Sequence, residues 1–322
     1  MTALGLKFAA MAALMVGAMA AGYAARRLRW LREEVGESLM TFVAVFGYPL
    51  VGFFSIWGTP LRRADLLLPV MGVSHMVGMT WLSWLLARAW VPDRAERGLF
   101  AIAGGLGNNG FTMGAFVIYL LYGEEGMGLA NLYFMAFLPA VVLLMYPLAL
   151  QHANHRPAGS LGTLIGRSLL DWRALGLPVS LAAIALSLGG WERPQILIEW
   201  RVIDGLVYTT TPLAFFGIGL RLHGSKIRPL WRMVAGLGLV RFGLGAMVAA
   251  ALAWLSRLTP WPLDGMRWNV CVVEGFVPTA VTMVAIANMF DLRPREASVL
   301  FVLNTLLYLV FVLPVVLLLF GG

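Results

Sequence analysis

Apolar positions run in long uninterrupted stretches, and charged residues fall between those stretches rather than alternating with them. The nearly charge-free segments are 8–25, 38–61, 66–87, 98–123, 126–155, 174–191, 205–220, 233–256, 268–290 and 297–322. A helix rises about 1.5 Å per residue, so about 20 apolar residues cross a hydrocarbon core of about 30 Å. The pattern therefore predicts ten membrane-spanning helices, of which 174–191 and 205–220 are short and lean on flanking residues. In lipid a helix satisfies its backbone within its own segment, so the predicted class is an all-α polytopic membrane protein.

Composition narrows the function classes. Of 322 residues, 60% are AVILMFWYC and 12% are charged, against about 25% charged in soluble domains. A soluble surface cannot hide that much apolar side chain. This excludes a soluble enzyme, a disordered chain, a collagen and a nucleic-acid binder. The single cysteine, Cys271, excludes intramolecular disulfides and thiolate zinc, and reads as a small core hydrophobe. His75, His152, His155 and His223 form no HxxxH or HExxH pattern, so no metal site and no bound cofactor are expected. His75, the histidine inside a span, reads as a buried and hydrogen-bonded core residue. No His, Asp, Ser or Cys constellation suggests a membrane-embedded enzyme.

The net charge of +8 changes meaning once it is placed along the chain. Connections after odd-numbered spans hold 16 of the 24 Lys and Arg, and those after even-numbered spans hold six. By the positive-inside rule the odd connections are cytoplasmic, which puts both termini outside in a multi-pass cell (inner) membrane protein. Span 1 resembles a signal peptide in Lys7, its apolar run and Ala20–Ala25, but Arg26, Arg27, Arg29 and Arg32 follow the run instead of preceding it. A retained helix is therefore expected. The basicity needs no nucleic-acid partner.

The two halves are weakly alike. Pro49-Leu50 with Phe53-Phe54 in span 2 recurs as Pro212-Leu213 with Phe215-Phe216 in span 7, and Pro147 recurs as Pro314. The shifts are 163 and 167 residues. Five spans per copy make the second copy enter from the opposite side, giving an inverted-topology repeat, an architecture of secondary transporters. The halves are 1–151 and 174–322, joined by a cytoplasmic connecting loop at 152–173.

Two spans should break. Span 4 holds Gly104-Gly105-Leu106-Gly107-Asn108-Asn109-Gly110, and each Gly costs a helix about 1 kcal/mol relative to Ala. Asn108 lies about 15 Å from the inner end, near mid-depth, where its amide must find a partner. Span 9 holds Glu274-Gly275-Phe276-Val277-Pro278-Thr279, and Pro278 removes a helix hydrogen bond at a similar depth from the opposite side. Broken helices 4 and 9 are therefore expected to cross. The competing reading of the glycines is a small-residue packing face.

Two ionisable residues lie within spans, and such groups are functional candidates by default. Glu274 would suit a proton carrier or gate, or a structural hydrogen bond. Arg241 would either cap exposed carbonyls or snorkel inward, or else balance an anion. Their depths differ by about 9 Å, so a direct pair is not the natural expectation. Thr209-Thr210-Thr211 before Pro212 is expected to kink span 7 and border the site.

The segment Gly107-Asn108-Asn109-Gly110-Phe111-Thr112-Met113-Gly114, followed by Tyr122-Gly123-Glu124-Glu125-Gly126, resembles the signature of the auxin efflux carrier family of bacterial and plant transporters. Phe116 stands where that pattern usually has proline, and Glu274 is not usual at its position. Pro212-Leu213-Ala214, Ile218-Gly219, Leu222, Pro278 and Arg293–Glu296 resemble its second-half motifs. The resemblance implies ten helices in two inverted five-helix repeats, related to bile-acid symporters and sodium/proton antiporters. It further implies a scaffold of spans 1, 2, 6 and 7, a transport unit of spans 3–5 and 8–10, elevator-type alternating access and a homodimer in membrane lipid. Family substrates are organic anions. The short connection between spans 5 and 6 differs from the long cytoplasmic loop of the plant type.

The function expected is secondary transport of a small organic anion such as a carboxylate. The runner-up is a sodium- or proton-coupled carrier of the same fold with a non-carboxylate substrate. Exposed backbone N–H groups and half-helix N-termini attract anions, so Gly107, Asn108, Asn109, Gly110, Phe111, Thr112, Pro278 and Thr279 are the expected binding set. Glu274 and Arg241 are the expected coupling or charge-balancing residues, with H+ or Na+ as the coupling ion.

Overall fold

The computed structural model describes residues 3–110, 112–153, 160–171, 175–222 and 230–321. The described chain is all-helical, and its one departure toward sheet is an isolated bridge between Gly107 and Thr279. The helices are α1 (Ala3–Arg27), α2 (Glu33–Trp57), α3 (Arg63–Trp90), α4 (Arg94–Gly105) and α5 (Gly114–His152). There follow α6 (Leu161–Leu170), α7 (Gly176–Leu188), α8 (Gln195–Glu199), α9 (Val202–Leu220) and α10 (Trp231–Leu258). The last three are α11 (Gly265–Gly275), α12 (Thr282–Met289) and α13 (Pro294–Phe320).

Among the described residues, seven helices are long and apolar enough to cross a membrane: α1, α2, α3, α5, α9, α10 and α13. The ten-span reading differs for physical reasons. Expected span 4 is divided: α4 stops at Gly105 and helix resumes at Gly114. Expected span 9 is divided likewise, with α11 ending at Gly275 before Pro278 and α12 starting at Thr282. Expected span 6 is α7, only 13 residues long. The second leg of span 4 and most of span 5 are two helices joined within α5 by a kink at Gly123, with φ +68° and ψ −154°. Only glycine adopts that conformation readily. The connecting stretch includes α6, while 154–159 and 172–174 lie outside the described residues.

Gly123 supplies a direct test of backbone strain. No heavy atom lies within 4 Å of a Cβ placed there, so Gly123→Ala adds no collision. The expected cost is about 1–3 kcal/mol from the backbone alone, read as a lower thermal unfolding midpoint in detergent. An unchanged midpoint would contradict this account.

Prolines inside the long helices leave a common mark. Widened π turns at Val141–Met145 and Tyr308–Val312 precede Pro147 and Pro314. The turns are related by the same 167-residue shift as the prolines. Another π turn, Val43–Gly47, precedes Pro49, whereas Pro212 sits in α9 with no widened turn.

The helices pack in two groups joined by the contact of α2 with α5. α1 and α2 pack on α9, and α7 packs on α2. α3 packs on α4, α5 and α10, α10 on α11, α11 on α5, and α12 on α13. The first group is held backbone to backbone. A Cβ at Gly22 would overlap the Phe216 carbonyl, and one at Gly219 would overlap that of Met19. Small residues permit such approaches in lipid, where dispersion must replace the hydrophobic drive between helices. Thr210 packs on Gly47 of α2, so the threonine run serves this contact and does not line the cavity described below. At the end of α3 the chain turns into α4 through Asp93, which accepts from the Glu96 N–H at 2.8 Å and pairs with Arg293 at 3.0 Å. The Glu96 N–H first, and then Arg293, hold the Asp93 carboxyl below the ordinary carboxylate range.

Candidate functional site

The two helix breaks meet in the core. After α4 the chain is extended through Leu106 and Gly107, and it runs antiparallel to the segment after α11. The Asn108 N–H donates to the Pro278 carbonyl at 2.7 Å, and the Ala280 N–H donates to the Leu106 carbonyl at 2.8 Å. These two bonds satisfy backbone groups that the breaks would leave bare in hydrocarbon. The segment then wraps the start of α5: Gly114 N–H donates to the Asn108 carbonyl at 2.9 Å and Ala115 N–H to that of Asn109 at 3.1 Å. Phe111 lies outside the described residues.

Arg241 holds the crossing from behind. It is fully buried in the π turn Leu239–Leu244 of α10. Nε and Nη2 donate to the Val277 carbonyl at 3.1 and 2.9 Å, and Nη1 donates to the Gly104 carbonyl at 3.0 Å. One guanidinium thus holds a carbonyl at the end of α4 and a carbonyl in the break after α11. This matches the carbonyl-capping alternative for Arg241, and the fork geometry explains why arginine is used.

Glu274 occupies the other side. It is fully buried, and its Oε2 accepts from Asn109 Nδ2 at 2.7 Å. The same amide also donates to the Glu274 carbonyl at 3.0 Å. A Cβ at Gly114 would overlap the Glu274 carboxylate, which therefore abuts the N-terminus of α5. Among the described residues no group bonds to Glu274 Oε1.

A cavity of about 500 Å³ ends on the crossing. Gly107, Asn108, Gly110 and Thr112 line it, and Asn108 is only 5% exposed. Asn108 Oδ1 accepts from Thr112 Oγ1, while Asn108 Nδ2 has no partner among the described residues. The walls are largely apolar, including Met40, Phe134, Ile218 and Phe301. The polar exceptions include Asn131, which donates to Ser55 Oγ and ties α5 to α2. The cavity reaches Glu37 on α2, Gly176 on α7, Arg221 after α9 and Ser298 on α13. It does not reach the far end, where Tyr119 donates to the Asp204 carboxylate and Arg193 pairs with Glu124 at 2.6 Å.

The predicted residues thus separate into roles. Gly107, Asn108, Gly110 and Thr112 face the cavity. Asn109 faces Glu274 and a small cavity of about 10 Å³ beside Tyr133. Successive residues of extended backbone point to opposite sides, and this divides the two asparagines. Pro278 and Thr279 form the crossing through their backbones but do not line the large cavity. Asn304, on α13, gives Thr279 its anchor: the Thr279 N–H donates to Asn304 Oδ1 at 2.8 Å. In the sequence Asn304 is marked only as a polar residue within the last apolar stretch. His75 is a satisfied core residue, its Nε2 3.0 Å from the Gly245 carbonyl.

No curated protein sequence matches the chain significantly. Residues 8–160, which take in most of α1, all of α2 to α5 and the first break, match a family model described as membrane transport protein, the family of the auxin efflux carriers.

Proposed function

We propose that this protein is a secondary active transporter that moves a small organic anion, such as a carboxylate, by elevator-type alternating access. The observation that carries the reading is the cavity floor. There the unpartnered Asn108 amide and the bare faces of Gly107 and Gly110 offer donors and open backbone at the crossing of two broken helices. A carboxylate accepts from such donors, and an apolar body fits the walls. On this reading the ten crossings form two inverted repeats, 1–151 and 174–322, an arrangement supported by the shared 167-residue shift of prolines and π turns. α1, α2, α7 and α9 would form the scaffold of a homodimer, and the remaining long helices the moving unit. With the basic connections inside and both termini outside, the cavity opens to the cytoplasm. The largely apolar walls also suit a less polar ligand, which keeps a cation-coupled carrier of a non-carboxylate substrate as the second reading.

A thermal-shift panel on the purified protein separates these readings. Short mono- and dicarboxylates should raise the unfolding midpoint, since a ligand of the folded state stabilises by mass action. Asn108→Leu should weaken carboxylate affinity at least about tenfold, the loss of a hydrogen bond to a charged group. A full carboxylate shift in Asn108→Leu would remove Asn108 from the site. Stabilisation by neutral ligands alone would favour the second reading.

A further inference from the structure

We propose that Glu274 is a proton-binding site whose occupancy is tied to that of the anion, so that one proton enters the protein with each carboxylate. This rests on the transporter reading above and extends it to the driving ion.

Arg241 and Glu274 are both fully buried, and every described nitrogen bond of Arg241 goes to a carbonyl. Each of the three nitrogens donates to a carbonyl, and the positive charge is unmatched by contact. Glu274 is the acidic group within electrostatic range of it. Other titratable groups surround Glu274: Tyr133 on α5, Tyr308 on α13 and Cys271 on α11 itself. Phenols and thiols are neutral near pH 7. His75 on α3 lies nearer Arg241 and is engaged with the Gly245 carbonyl. With Glu274 ionised, one positive and one negative charge share a nonpolar core. The Asn109 amide donates to one carboxyl oxygen, and the N-terminus of α5 lies against the same group.

An anion in the cavity changes that balance. A Cβ on Gly107 would lie 2.5 Å from Arg241 Nη2, so the cavity floor is the near side of the same guanidinium. A carboxylate seated there takes the field of Arg241 and leaves Glu274 as a second negative charge. Burying an uncompensated charge is costly, and the group neutralises instead. The available step is protonation of Glu274: a proton from solution adds to a carboxylate oxygen, giving a neutral acid, with no electron transfer. Oε1, which no described group bonds, is the oxygen open to it.

The experiment is proton counting during binding. Malate is titrated into the purified wild-type protein in weakly buffered solution above the acid's own ionisation range, and pH uptake is read with an indicator dye. About one proton per bound malate is expected, with malate affinity rising up to about tenfold per unit fall in pH. In Glu274→Gln the uptake and the pH dependence should both vanish. The wild-type count stands alone if that variant fails to fold. Malate binding without proton uptake overturns the proposal and leaves the transporter reading intact. Undiminished uptake in Glu274→Gln overturns it in favour of another group such as His75. Sodium dependence in place of proton uptake overturns it too. No binding of malate or any other carboxylate at any pH counts against the transporter reading itself.

Discussion

Arg241→Met is expected to lower the stability of the folded protein by about 2–6 kcal/mol, because it leaves the Gly104 and Val277 carbonyls without their donor at about 1–3 kcal/mol each. That is a large share of the roughly 5–15 kcal/mol that typically separates folded from unfolded protein. Methionine fills much of the arginine volume, so the effect reports the lost bonds more than a cavity. Arg241→Lys keeps the charge but replaces a planar fork with a point ammonium, and one ammonium does not span both carbonyls as the fork does. Its midpoint should fall between those of the wild type and the methionine variant. Thermal unfolding of detergent-solubilised protein measures this. A methionine variant within about 2 °C of wild type would show that Arg241 does not hold the crossing.

The second large effect is expected at Gly107. A Cβ there would meet Arg241 Nη2 and Asn109 Oδ1 at 2.5 Å and Val277 Cγ2 at 3.0 Å. None of the three yields easily, since the guanidinium is fixed on two carbonyls and Asn109 on Glu274. Gly107→Ala must therefore open the bridge to Thr279 and the two bonds beside it. Overpacking of this kind costs about 1–3 kcal/mol, and here it also displaces the cavity floor. Ligand stabilisation should disappear together with part of the stability. Gly110→Ala is the control for stability: its Cβ would meet Phe134 at 3.4 Å, an ordinary contact. If Gly107→Ala melts like Gly110→Ala, the close packing at the crossing is not as described.

The two breaks were legible because glycine and proline act locally. The run from Gly104 to Gly110 and the single Pro278 weaken a helix wherever it packs. What each break would touch was not legible. The Arg241 bonds reach residues 36 and 137 positions away, and only the folded chain brings those carbonyls together. The separation of Asn108 from Asn109 was latent, since extended backbone alternates, but grouping both as ligands overlooked it. The threonine run before Pro212 misled for the opposite reason. A β-branched hydroxyl can satisfy itself on its own helix, as Thr209 and Thr210 do at 2.7 Å, and then packs as an apolar residue. The count of seven long helices among the described residues leaves shorter pieces aside: α7 is apolar but short, and a broken helix presents two short pieces.

The alternation at Asn108 and Asn109 bears on how such a carrier can diverge. Neighbouring codons specify a side chain toward the cavity and a side chain toward Glu274. On the proposed reading, a change at the first alters what is recognised while leaving the carboxylate's hydrogen bond in place. A change at the second alters the carboxylate while leaving the cavity wall in place. Descendants of one ancestral sequence could therefore exchange cargo and retain their energy source, or exchange the energy source and retain their cargo, through single substitutions at adjacent positions.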